Sequence, residues 1–139
     1  MKRTVWALAV AAMLCAAPAM ASSILAQIDL SAQTMHVYVN GAQLYVWPVS
    51  TARRGYVTPV GTFRPQRLEP IWFSRKYDSS PMPHSIFFGG GYAIHGTNAV
   101  SRLGTPASHG CVRLHPSNAA TLYSLVSQSR GSTTIVVTR

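Results

Sequence analysis

The sequence predicts a mainly β domain closed by a single C-terminal α-helix, and three observations carry that prediction. Ser23 to Leu30 and Thr34 to Asn40 alternate apolar and polar side chains, the period of half-buried strands. Asn40-Gly41 ends the second run, and this dipeptide is the strongest short signal for a tight hairpin turn. Toward the other end, Ala120, Leu122, Tyr123 and Val126 recur at helical spacing within Ser117 to Gln128.

The remaining elements follow in chain order. Gln43 to Val49 reads as a third strand, completing a β-meander. Thr58-Pro59-Val60-Gly61-Thr62-Phe63 reads as a turn entering another strand, because proline and glycine punctuate regular structure. From Arg64 to Pro83 the pattern dissolves: Trp72, Phe73, Tyr77 and Met82 are interleaved with Pro65, Pro70, Pro81 and Pro83. This stretch is expected to be one long aromatic loop, and loops of that length usually carry function. Ser85-Ile86-Phe87-Phe88 and Tyr92-Ala93-Ile94 bracket Gly89-Gly90-Gly91, a hairpin whose second strand delivers His95 at its end. The helix is expected to start at a serine or asparagine cap and to stop at Gly131, before a closing strand, Thr133 to Thr138, rich in β-branched residues.

A chain of 139 residues, 47% of them hydrophobic, has room for one packed domain. Lys2 and Arg3 precede an apolar run, Val5 to Ala17, that ends in Ala19-Met20-Ala21. A membrane span needs about 20 apolar residues. The shorter run fits a secretory signal cleaved after Ala21, which makes residues 22–139 the mature domain and places it in the periplasm or cell envelope. Leu14 stands before Cys15 where a lipoprotein acceptor site needs a small residue, which argues against lipidation. Without Lys2 and Arg3 the formal charge of +9 falls to +7, set by ten Arg and Lys against Asp29, Glu69 and Asp78. Such an excess favours an anionic partner. An exported chain without a helix-turn-helix, zinc-finger or RNP-like pattern points away from nucleic acid and toward anionic envelope polymers.

Removal of Cys15 leaves one cysteine, Cys111, flanked by serine, histidine and glycine in Ser108-His109-Gly110-Cys111-Val112-Arg113. A lone thiol in an oxidising compartment suggests a reactive role. His95, sixteen residues upstream, and His109 are candidate partners that would draw the thiol pKa down toward neutrality. Gly110 permits a sharp turn in which the N–H groups of His109, Gly110 and Cys111 converge on an oxyanion. Acids are scarce, so the acceptor that orients the imidazole is expected to be a backbone carbonyl or a hydroxyl such as Ser108.

These residues resemble a known signature. His95-Gly96-Thr97, a gap, then Ser108-His109-Gly110-Cys111-Val112-Arg113-Leu114 is similar to the motif of the L,D-transpeptidase (YkuD-type) catalytic domain. Thr58-Pro59-x-Gly61-x-Phe63, Met82-Pro83 and Leu103-Gly104-x-Pro106 match further landmarks of that family. The resemblance covers about residues 23 to 138 and implies a β-sandwich-like fold, no cofactor, and ping-pong acyl transfer on peptidoglycan stem peptides. Cys111 would attack the amide before a terminal D-alanine, and an amine acceptor, a second stem or an envelope protein, would resolve the thioester. His95 would be the general base, held by the Gly96 carbonyl. His109, Gly110 and Ser108 would serve the oxyanion hole and its orientation, and Arg113, Thr97, Trp72 and Tyr77 the substrate. Arg113 would meet the donor's carboxylate or else form a structural salt bridge. The resemblance also implies acylation of Cys111 by carbapenems. Water as acceptor would make the protein an L,D-carboxypeptidase or a crosslink-cleaving hydrolase. A remoter alternative is a zinc hydrolase built on His84, His95, His109, Cys111 and His115, a set whose spacing matches no common zinc pattern.

Overall fold

The computed structural model describes residues 15–139. Most of the expected leader, residues 1–14, lies outside the described residues. Two sheets face each other. The first has five strands in the order β3-β2-β1-β9-β4 and the second four in the order β5-β6-β7-β8.

The expected meander is present as β1 (Ile24–Asp29), β2 (Thr34–Val39) and β3 (Ala42–Pro48). Asn40 and Gly41 both take positive φ, 50° and 81°, as a tight hairpin between right-twisted strands requires. The alternation seen in the sequence maps onto burial: Ile24, Ala26 and Ile28 of β1 and Met35 and Val37 of β2 are sealed inside. The C-terminal strand β9 (Thr133–Thr138) returns to lie parallel to β1, Ile24 against Thr133, and β4 (Gly61–Phe63) pairs with its other edge.

The second sheet departs from expectation. The stretch read as one aromatic loop folds into β5 (Arg67–Phe73), a turn over residues 74–80, and the first part of β6 (Pro81–Gly89). Its prolines misled the reading because they occupy the places where a sheet tolerates them. Pro70 lies on β5, an edge strand. Pro81 and Pro83, two residues apart, turn the same side of β6 outward at a stretch where only β5 pairs with it, since β7 (Tyr92–Gly96) begins its register at Ile86. The glycine hairpin between β6 and β7 is as expected, with Gly90 and Gly91 at positive φ. β8 (Val112–Leu114) then pairs parallel to β7.

The helix α1 (Pro116–Gln128) packs on β6 and β7 through Ala119, Leu122 and Val126, joining one core with Ile86, Phe88, Ile94, Val112, Leu114, Ile135 and Val137 from both sheets. Its cap is His115, whose ring nitrogen accepts from the Ser117 N–H, with Pro116 in the first turn where its missing N–H costs nothing. The helix ends at Gln128, before Gly131. Trp47 is buried in the core, whereas Phe73 is 55% exposed. His36 makes a cross-strand contact, to Gln43. Among the described residues no helix is long and apolar enough to cross a membrane.

Candidate active site

Strand alternation builds the site. Ile94 on β7 and Val112 and Leu114 on β8 face the core, so His95 and Arg113, paired in register, face the opposite side of the second sheet. Carried one residue back, the same register sets Cys111 beside Ala93 and diagonally across from His95. Strand spacing and a two-residue offset place their Cα atoms roughly 8 Å apart. Cys111 packs at the margin of a small apolar cluster of Met82, Phe87, Ala93 and Trp72 on this outer face. It remains part-exposed and opens into a cleft of about 390 Å³, which His95, His109, Ser108, Arg113, Trp72 and Tyr77 also line.

His95 is 6% exposed, and its Nδ1 lies 2.7 Å from the Gly96 carbonyl oxygen. A carbonyl only accepts, so Nδ1 carries the hydrogen and Nε2 of the neutral ring keeps its lone pair. Burial pushes the His95 pKa down to about 4, against the raising effect of the Gly96 hydrogen bond. The same effect acts oppositely on Cys111: burial raises the thiol above its ordinary value, outweighing the Ala93 N–H and the Arg113 charge. The expectation of a thiol pulled toward neutrality is therefore corrected. An imidazole too buried to hold a proton supplies no positive charge, and the resting pair is a neutral thiol beside a neutral base.

The loop before Cys111 is held by hydroxyls. Ser108 Oγ donates to the Cys111 carbonyl at 2.6 Å and accepts from the Gly110 N–H at 3.0 Å. The expected trio of oxyanion donors thus has one member already engaged. Ser108 orients the loop before Cys111, and the acceptor for the imidazole is the backbone. Thr58 Oγ1 donates to the Gly110 carbonyl at 2.7 Å and accepts from the Ala52 N–H at 3.0 Å. Gly110 sits at φ +139°, and a Cβ there would lie 2.6 Å from Tyr92 Cε1 and 2.9 Å from the Val57 carbonyl, so only glycine fits. Gly96 is closely packed: a Cβ would press on Pro83, Pro116 and Ala119 at 3.1–3.4 Å, where β7 meets the start of α1, so a side chain there displaces its neighbours by a few tenths of an ångström.

Arg113 is half-buried, and its contact is to the Ala107 carbonyl at 3.4 Å. The one salt bridge among the described residues is Arg67–Glu69, so Arg113 has no acidic partner there. A structural salt bridge at Arg113 is ruled out, and its guanidinium faces a cleft that Arg75 and Lys76 also line and that contains no carboxylate. Thr97 is the exception among the expected substrate residues. It is buried, accepts from the Ala99 N–H, and stands outside the cleft.

The histidine–cysteine set of the zinc alternative does not converge: among the described residues no three His, Cys, Asp or Glu side chains gather as ligands. His84 packs against Tyr123 and His115 caps the helix. What the sequence reading missed is support. Thr58 appears there as a landmark without a role, and Tyr92, Arg75 and Lys76 are not singled out. The one available signal was Thr58 at the head of the Pro59-x-Gly61 turn.

Residues 23–137 match the family model of the YkuD L,D-transpeptidase catalytic domain. The chain belongs to this family. A curated YkuD relative from Bacillus subtilis (strain 168) is 28% identical over 102 residues, covering 71% of this chain and 58% of the relative. A solved L,D-transpeptidase from Mycobacterium smegmatis superposes with a TM-score of 0.77 at 28% identity, covering 85% of this chain and 59% of its own. The structure of the LD transpeptidase LdtMt1 in complex with imipenem gives 0.73 at 26% identity, covering 84% and 59%. The chain thus spans less than two thirds of the length of each of these L,D-transpeptidase relatives. The mainly β fold with one helix is the fold of the family.

Proposed function

We propose that this protein is an exported peptidoglycan L,D-transpeptidase that works through a Cys111 thioester. The observation that carries the reading is the pairing, on one cleft wall, of a part-exposed thiol with an imidazole whose Nδ1–H is committed to the Gly96 carbonyl. The free Nε2 is then the base. As Sγ attacks the carbonyl carbon before the terminal D-alanine, the thiol proton passes to His95 Nε2 and the carbonyl oxygen takes the negative charge. The N–H groups of His109 and Cys111 receive that oxyanion, because the Gly110 N–H is engaged by Ser108. Collapse breaks the C–N bond, the imidazolium returns its proton to the leaving amine, and free D-alanine departs. An amine of a second stem peptide then attacks the thioester, gives its proton to His95, and the sulfur leaves and is reprotonated.

Arg113 supplies the charge that reads the donor's free carboxylate, since no acidic side chain among the described residues pairs with it. Trp72 and Tyr77 wall the same cleft. The leader over residues 1–21 and the basic surface both suit a protein that works on the anionic wall outside the cytoplasm.

The test is to incubate residues 22–139 with defined tetrapeptide muropeptides, with and without an amine acceptor, and weigh the products. Expected are loss of D-alanine, a crosslinked product that needs the amine, and no conversion by Cys111→Ala. Tripeptide formed at equal rate with and without amine would replace the transferase with an L,D-carboxypeptidase. Conversion by Cys111→Ala would dismiss the nucleophile.

A further inference from the structure

The site gives the His109 backbone a role but leaves its ring unassigned, and that ring makes a contact across the cleft. Tyr77 stacks on it with centroids 4.0 Å apart and planes inclined by 12°. Tyr56 meets the same ring edge-on at 4.8 Å and 71°. The imidazole therefore joins two segments remote in sequence, the loop after Ala52 and the turn over residues 74–80.

The two sides of this joint are not equally anchored. Below the ring, Tyr56 donates its N–H to the Arg53 carbonyl and lies under the Arg53 guanidinium, 5.0 Å from its ring centroid. The neighbouring Gly110 is gripped by Ser108 and Thr58. Above it, the hydrogen bonds of the turn close within the turn: Ser74 N–H to the Ser80 carbonyl, Ser80 N–H to the Tyr77 carbonyl, and Tyr77 N–H to Ser74 Oγ. Asp78 and Ser79 both take left-handed backbone, φ 50° and 52°, which costs L-residues about 1–2 kcal/mol each. A strained turn whose hydrogen bonds close on itself relies on side-chain contacts to hold its place: Arg75 lies over the Trp72 ring of the adjoining strand, 5.1 Å from its centroid, and the Tyr77 stack ties the turn to the opposite side of the cleft. Its residues Arg75, Lys76 and Tyr77 line the cleft, so its place sets the cleft's width.

We propose that the His109 imidazole is a positioning residue that fastens the 74–80 turn over the cleft by its stack on Tyr77. The consequence for substrate rests on the reading of this cleft as the donor site; the fastening itself does not. An uncharged ring suits a face-to-face stack, and burial together with the cations Arg53, Arg113 and Lys76, against the single acid Asp78, keeps the imidazole below its ordinary pKa.

Trypsin reads the fastening directly, because Arg75 and Lys76 are exposed within the turn. An aromatic pair of this kind contributes enough to change a local opening equilibrium about two- to tenfold. Limited proteolysis of His109→Ala should accelerate cutting after Arg75 and Lys76 by about that factor, while His109→Phe, which keeps a flat ring, should cut at the wild-type rate. Tyr77→Ala should match His109→Ala, and the double variant should cut no faster than either. Under muropeptide turnover, His109→Ala should raise KM by a similar factor with kcat little changed, and His109→Phe should restore KM. Wild-type cutting of His109→Ala, equal cutting of the Phe and Ala variants, or acceleration spread equally over Arg102 and Arg130 would each overturn the proposal. If no turnover is found but the proteolysis pattern holds, the donor-site reading fails and the fastening stands.

Discussion

The hydroxyl of Thr58 holds the carbonyl of Gly110 at 2.7 Å, across 52 residues of sequence. In a trans peptide the N–H points opposite to the carbonyl. Fixing the Gly110 carbonyl toward Thr58 therefore turns the Cys111 N–H away from Thr58 and stops the peptide plane from rotating. A residue that carries no reactive chemistry thus sets the direction of the Cys111 N–H, a donor in the proposed mechanism.

Thr58→Val keeps the shape of the side chain but leaves the Gly110 carbonyl and the Ala52 N–H without their partner. It should cost about 1–3 kcal/mol in denaturant unfolding and lower kcat by about tenfold or more through the misplaced donor. Thr58→Ser, which restores the hydroxyl, should recover most of both. Wild-type turnover by the valine variant would remove Thr58 from the support of the site.

Gly110→Ala places a methyl group against Tyr92 and the Val57 carbonyl at a backbone angle that alanine avoids. Its expected cost is about 1–3 kcal/mol of stability, with activity reduced well beyond what the unfolded fraction explains. Tyr92→Ala added to it should not rescue activity, because the Val57 clash and the angle remain. Full rescue would show that the tyrosine ring alone demands glycine.

The pH dependence follows from burial. With the His95 pKa at about 4, the base stays unprotonated through mildly acidic conditions, so the acid limb of kcat/KM should bend near pH 4 and not near 6.5. The unfolded chain binds this proton near pH 6.5 and the folded one near 4. Stability should therefore fall as pH drops through that window, by up to about 3 kcal/mol, and level off below it. Urea titrations of wild type and His95→Gln should show this slope only in the wild type. In the opposite direction, thiolate absorbance of Cys111 should rise only above the usual cysteine range. An inflection near pH 6 would reveal a preformed ion pair and overturn the neutral dyad.

If Cys111 is the proposed acyl-accepting thiol, imipenem should add to it. Intact mass should show one adduct on the wild type and none on Cys111→Ala. His95→Ala should acylate about 100-fold more slowly or worse, the usual contribution of a positioned base.

Local chemistry made much of this legible in the sequence. Asn40-Gly41 fixed a hairpin because its turn needs two residues at positive φ, and Ser108 to Arg113 marked the site because thiol, imidazole and glycine stand together. Illegible were features decided by distant partners. β5 and the start of β6 were hidden by prolines harmless only on strand sides that nothing else pairs with. The parallel pairing of β9 with β1 joins the two ends of the domain and leaves no short-range pattern. Thr97 adjoins the site residues in sequence, yet its hydroxyl turns to Ala99. The charge state of Cys111 could not be read either, because it depends on how much water its surroundings exclude.

A sulfhydryl kept protonated at rest is a poor target for peroxides and for exchange with other disulfides, since both reactions select the thiolate. Burial therefore safeguards the Cys111 sulfur. Under the proposed mechanism, reactivity is released only when an acyl group sits close enough for proton departure and bond formation to occur together, so Cys111 stays free in the face of oxidants that consume an exposed thiolate.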